Sequence, residues 1–160
     1  RKACEGIIDA LQSLAKSLEL FTLLAARQLK SKLSEKAELP QKKPASSFVL
    51  EASRALTAAF ACYAHSDSAA RSAAVKAAGE VTGITAVVMP GNDNTSIEQI
   101  TAILDILRPA TTDERTVALK GCCAAAAGDG YISVEEAELV RLVALILDLP
   151  LPPILPGQKM

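Results

Sequence analysis

The chain has 160 residues, is 50% hydrophobic but only 3% aromatic, and carries a formal net charge of −1. Its length suits one domain, and its abundant alanine, the best helix former, predicts an all-α, compact multi-helix bundle of about six to seven helices with no significant sheet. The near-neutral charge offers no global field for nucleic acid, and no charge-free apolar run approaches the length of a transmembrane helix, so neither a nucleic-acid partner nor direct membrane insertion is expected.

Residues 1–32 are read as N-terminal helices. Ile7, Ile8, Leu11, Leu14, Leu18 and Phe21 recur at three- and four-residue steps, and Leu20, Leu23, Leu24 and Leu29 add a second stripe, giving one long helix or two joined ones. Residues 33–46 carry two prolines and several charges, including the Lys42-Lys43 pair, and read as a solvated loop. Residues 47–108 supply the middle helices. In 47–64 the expected inner face is Phe48, Val49, Ala52, Leu56, Ala59, Phe60 and Tyr63. His65-Ser66-Asp67-Ser68 breaks that pattern, and Asp67 or Ser68 can cap the next helix, 69–82, which Gly83 closes. The best strand candidate, Ile84 to Met89, is too isolated to build a sheet. Thr95-Ser96-Ile97-Glu98 fits a capping box before a helix with Ile97, Ile100, Leu104 and Leu107 on one face, and Pro109 stops it.

Residues 111–157 form the expected core, a helix-turn-helix. The first helix, about 112–127, gives up its bulky residues to Gly121, Cys122, Cys123 and Ala124 to Ala127, so neighbouring backbones can come close and it is expected at the centre. In the turn, Gly128 and Gly130 supply backbone freedom. Ser133 and Glu136 then form a capping box, with Glu135, Glu136 and Glu138 favoured by the positive end of the helix dipole. Val134, Ala137, Val140, Ala144 and Leu147 recur at helical spacing, Leu139, Leu142, Val143 and Ile146 widen the apolar face, and Pro150, Pro152 and Pro153 end the helix.

The same turn resembles the second half of a calcium-binding EF-hand loop, with Asp129 at its fifth position and Glu136 at its twelfth. The first and third positions then fall on Ala125 and Ala127, which offer no oxygen to an ion that wants six to eight. No metal site is therefore expected; Asp129, Glu135, Glu136 and Glu138 are the weak candidates, and Gly128, Gly130, Ser133 and Glu136 are assigned structural roles. Cys4, Cys62, Cys122 and Cys123 lack zinc-knuckle or disulfide spacing. Cys62 and His65 lie i, i+3 and could hold zinc with one further thiol, but Cys122 and Cys123 diverge on a helix and the thiols are read as small buried groups in a reducing setting.

The run Cys122 to Ala127, the Asp129-Gly130 turn, the Glu-rich start Glu135 to Leu139 and the close on Leu151-Pro152-Pro153 together resemble the TerB-like helical module. More closely, they resemble the C-terminal region of membrane-embedded bacterial zinc metallopeptidases related to the heat-shock protease HtpX. The match covers about 45 residues and is looser upstream, where an Asp-Gly turn common in that family is replaced around Gln12-Ser13-Leu14. The resemblance implies a non-catalytic accessory domain, for interaction or regulation, whose partners are the parent's peptidase domain, its substrate or another protein. Zinc would belong to the parent's catalytic domain, with no cofactor here, and the segment would be a soluble, cytosol-facing part of an inner-membrane protein. The start at Arg1 suggests a piece of something longer. The peptidase itself needs His-Glu-x-x-His on a helix, and His65 is the only histidine in the chain, so the chain is expected not to be an enzyme. His65, Asp67 and the flanking serines are read as a surface turn rather than a hydrolase triad, since no nucleophile elbow is present. The alternatives are a free-standing TerB-like domain responsive to stress or metal and a generic helical interaction module.

Overall fold

The computed structural model describes residues 22, 24–26, 28, 29, 45–86 and 97–150. Where length suggests one domain, packing divides the chain into two compact units, Arg1–Lys42 and Lys43–Met160. In the first, the described residues are helical, with Leu24 and Ala26 buried and Leu29 exposed. The helix break within 3–32, residues 33–44 of the expected 33–46 loop, the Thr95-Ser96 capping box and the Leu151-Pro152-Pro153 close lie outside the described residues; the expected loop ends sooner than read, since Ser46 already begins a helix.

The second unit is all-helical: α1 (Ser46–Ala64), α2 (Ser68–Thr82), α3 (Ile97–Leu107), α4 (Thr112–Ala126) and α5 (Val134–Ile146). The described residues contain no strand; Tyr131 alone makes an isolated bridge. α4 packs most extensively against both α1 and α2, α1 also meets α2 and α3, and α5 rests on α4. α4, whose run from Gly121 to Ala126 carries no side chain larger than cysteine, thus packs against α1, α2 and α5.

Each helix starts and stops for a local reason. The Asp67 carboxylate accepts from the Ala70 amide at 2.9 Å and begins α2. Gly83 ends it with φ +71°, a left-handed conformation, its amide bonded to the Gly79 carbonyl at 2.8 Å. α3 ends at Leu107, two residues before Pro109. Thr111 and Glu114 form a reciprocal capping box on α4, the Thr111 amide donating to the Glu114 carboxylate at 2.8 Å and the Glu114 amide to the Thr111 hydroxyl at 3.3 Å.

Two positions expected inside are outside. Phe48 is 65% exposed, while Val49, Ala52, Leu56, Ala59 and Phe60 are buried. It sits in the first turn of α1, four residues before buried Ala52 and so on the same side of the helix; what it lacks there is a covering neighbour. Val134 is 57% exposed, whereas Ala137, Val140, Ala144 and Leu147 are buried. Each three-residue step falls about 60° short of a full turn, so Val134 has drifted out of the buried arc that the later residues share. Buried hydroxyls on α1 are satisfied within the helix: Ser53 donates to the Val49 carbonyl and Thr57 to that of Ser53, both at 2.9 Å.

Candidate functional site

The chemistry-bearing side chains gather at the end of α4 that leads into α5, and each can be followed to what it touches. His65, the residue after α1, is buried, and its Nε2 lies 3.0 Å from the Ala125 carbonyl on α4. A carbonyl only accepts, so Nε2 carries the proton and donates. The His65 carbonyl in turn accepts from Arg71 Nε at 2.6 Å. One imidazole therefore ties the α1–α2 turn to the last turn of α4. Asp67 is occupied at the α2 cap, and Ser66 and Ser68 are exposed, so the cluster offers no histidine-activated hydroxyl.

Close approach sets the glycines in and just after α4. A methyl group on Gly128 would lie 2.5 Å from the Ala74 Cβ, 2.8 Å from the Ala74 Cα and 3.1 Å from His65 Nε2. Gly128 has no left-handed φ; what requires glycine there is the contact with α2, because a Cβ has no room. Further back, a methyl on Gly121 would come within 2.5 Å of the Thr57 hydroxyl on α1. The reversal of direction falls to Gly130, whose φ is +80° and whose amide bonds the Ala127 carbonyl at 2.8 Å.

The acidic side chains of the turn hold backbone. Asp129 Oδ1 accepts from the Tyr131 amide at 2.9 Å, a local Asx turn. Ile132, three residues from exposed Asp129 along the chain, is fully buried and anchors the loop. The Ser133 amide donates to Glu136 Oε2 at 2.8 Å and the Glu136 amide to the Ser133 hydroxyl at 3.2 Å, a complete capping box. Glu138 is ion-paired with Arg141, and Glu135 is exposed. The four metal candidates are thus spread over a turn and two faces of a helix. Among the described residues, no group of three or more His, Cys, Asp or Glu side chains comes together.

Burial governs the thiols. Cys62 and Cys122 are buried and Cys123 is half-buried. Burial pushes the Cys122 thiol well above its usual range, with the neighbouring Cys123 adding to the shift, and burial raises Cys123 to about 11. Neutral thiols of this kind are poor nucleophiles and poor metal ligands, since both tasks need the thiolate.

Sequence reasoning missed Arg115 and Asp148. Arg115 lies in the first turns of α4, where a cation opposes the helix dipole, and that misfit was the available signal. Its guanidinium reaches the carbonyl of Leu147, 32 residues on, covering an orphan acceptor at the end of α5. There the Asp148 amide bonds the Leu145 carbonyl at 3.2 Å and the Leu149 amide the Ala144 carbonyl at 2.9 Å, a Schellman arrangement, with Asp148 at φ +57°. α5 therefore ends by its own cap at Ile146, ahead of Pro150. Two surface clefts were also not legible. One of about 410 Å³ runs along α2 between Val75, Gly79 and Ala86, flanked by Lys76 and Glu80. The other, about 380 Å³, lies between the N-terminal turns of α1 and α4, with Val49, Leu50, Ile84 and Val117 as its apolar floor and Asp113 and Glu114 at the side.

Comparison with family models, with curated proteins and with solved structures finds no match to this chain. The likeness to TerB-like and HtpX-related segments accordingly rests on the residues of the 122–157 segment alone. No helix among the described residues is long and apolar enough to cross a membrane.

Proposed function

We propose that the chain is a non-catalytic accessory module that presents helical surfaces to another protein or to other parts of a longer polypeptide. One observation carries this reading: the side chains with chemical potential are committed to backbone. His65 is held on the Ala125 carbonyl, Asp129 on the Tyr131 amide and Glu136 on the Ser133 amide, each at hydrogen-bond distance. Withdrawing any of them for catalysis or metal binding would uncover the backbone group it satisfies. The apolar side chains left outside, Phe48, Val81, Tyr131, Val134 and Leu145 among them, suit contact with protein.

In the narrower form of this proposal the longer polypeptide is a membrane-embedded zinc metallopeptidase of the HtpX type, facing the cytosol, with zinc held by a catalytic domain outside this chain. The support is the run of residues from Cys122 through Asp129-Gly130 to Leu151-Pro152-Pro153. Coding sequence upstream of Arg1 decides it. A His-Glu-x-x-His helix between apolar spans is the expected finding, and a reading frame that opens at Arg1 would overturn it.

The broader reading is tested on the purified chain. Casein and fluorogenic peptides should stay intact with or without added zinc. Calorimetric titration of metal-free protein should show calcium held more weakly than about 10⁻⁵ M, outside the range of calcium sensors. Tighter binding that Asp129→Ala abolishes would instead favour a TerB-like metal-responsive domain, and turnover that His65→Ala abolishes would overturn the non-catalytic reading.

A further inference from the structure

The outer face of α5 carries a short stripe whose spacing is the same in both directions and whose charges change sign on reversal. Val134, Glu138, Arg141 and Leu145 follow one another at steps of four, three and four, which places them along one side of the helix. Val134 and Leu145 are 57% and 46% exposed. Between them Glu138 and Arg141 form an ion pair at the surface, with side chains 45% and 24% exposed. The stripe is apolar, acidic, basic, apolar, and its midpoint falls between Glu138 and Arg141.

We propose that this stripe is a self-association surface, and that its partner is a second copy of the same chain laid antiparallel across it. A twofold axis through the midpoint sets Val134 of one copy against Leu145 of the other, and Glu138 against Arg141. This is the self-complementarity that an isologous interface requires: each residue meets a different one, and the contact is made twice. The two intrahelical ion pairs merge into one network of alternating charge, with each guanidinium within reach of two carboxylates. A net charge of −1 sets little repulsion against a second copy.

The surface is small. One helix stripe covers well under the roughly 800 Å² per partner of a standard stable interface, so the dimer is weak, with a dissociation constant of about 10⁻⁴ M or higher. Self-association holds or fails independently of any peptidase parent and of any other partner.

Sedimentation equilibrium of the full chain at low salt, up to about 1 mM, reads the association directly. The wild-type chain should show a concentration-dependent dimer that added salt weakens. Glu138→Arg and Arg141→Glu each place four like charges around the axis, and each alone should weaken association by about tenfold or more. An equimolar mixture of the two variants should recover it, because a copy with two basic groups at the axis then faces a copy with two acidic ones. Far-UV circular dichroism checks that both stay helical; if either does not, Val134→Glu, at an exposed position, replaces it and should also abolish the dimer. A wild-type chain that remains monomeric at the highest concentration overturns the proposal. So does a dimer indifferent to the reversals, or a mixture that stays monomeric.

Discussion

Asp148 holds the least comfortable backbone in the described chain, the sole non-glycine residue there with a positive φ, +57°. A side chain in the left-handed region crowds its own carbonyl, at a cost of about 1 kcal/mol that aspartate only partly relieves. The position is fixed by the bonds around it, the Leu149 amide to the Ala144 carbonyl at 2.9 Å above all, and not by any preference of aspartate. Asp148→Gly should therefore raise stability by roughly 0.5–1 kcal/mol, the strain relieved exceeding the entropy that glycine adds to the unfolded chain. Urea melts of the two proteins measure this, and an unchanged or lower midpoint would show that the carboxylate supplies a compensating contact. The contrast with the start of α5 shows what a sequence can disclose about single residues. Ser133 and Glu136 stand three apart, so their reciprocal cap is written in local order and could be read there. His65 finds the Ala125 carbonyl across 60 residues and Arg115 finds Leu147 across 32, and no local pattern encodes partners so distant.

Among the elements, α4 decides the packing. Its neighbours approach until Gly121 nearly touches the Thr57 hydroxyl and Gly128 meets the Ala74 backbone. Gly121→Ala should cost about 1–3 kcal/mol, the usual range for forcing extra volume into a packed interior. Because the nearest atom is the Thr57 hydroxyl at 2.5 Å, with the next neighbours at 3.7 Å, Thr57→Ala should restore most of that loss. A double-mutant cycle by chemical denaturation reads the coupling. Simple additivity would mean that the helices shift apart rather than collide at that atom. The central place of α4 was legible because a helix that runs from Gly121 to Ala126 with no large side chain has little else to offer but proximity. Which helices would use it was not legible, since alanine stripes on α1 and α2 carry no address. At Phe48 the periodicity marked the right direction without showing that a neighbour extends to the helix end, while at Val134 three-residue steps carried the pattern off the buried arc.

For the molecule as a whole, the paired thiols set a dependence of stability on pH. Burial holds the Cys123 thiol neutral up to about 11, while in the unfolded chain it returns to an ordinary 9.0. Between those values the unfolded state binds fewer protons than the folded one, so stability falls as pH rises; below the lower value the group contributes no slope. Thermal or denaturant melts from about pH 8 to 11 should show the wild type losing stability faster than Cys123→Ala, in which Cys122 is retained as an internal reference. Parallel curves would mean that the thiol is solvated in solution. At this scale the all-helical class was legible from composition, because abundant alanine and only 3% aromatic residues favour helix over sheet. The division near Lys42 and Lys43 was visible only as a charged, proline-bearing stretch, which marks a connection without saying what it separates.

The composition of α4 also has a thermodynamic side. Gly121, Ala118, Ala125 and Ala126 sit at the buried centre with no rotatable side-chain bonds to freeze. A core built on leucine or methionine surrenders rotamer freedom as it orders; here that loss is nearly absent at the point of closest packing. The compensation is that each such residue brings few atoms to the interior, so its dispersion attraction is small. Substitution at these sites is then lopsided: nearly every other amino acid is larger, and there is almost nothing smaller to fall back on. A saturation library across the inner face of this helix would be depleted at almost every codon, while the outer, charged face at Asp113 and Lys120 accepted most changes.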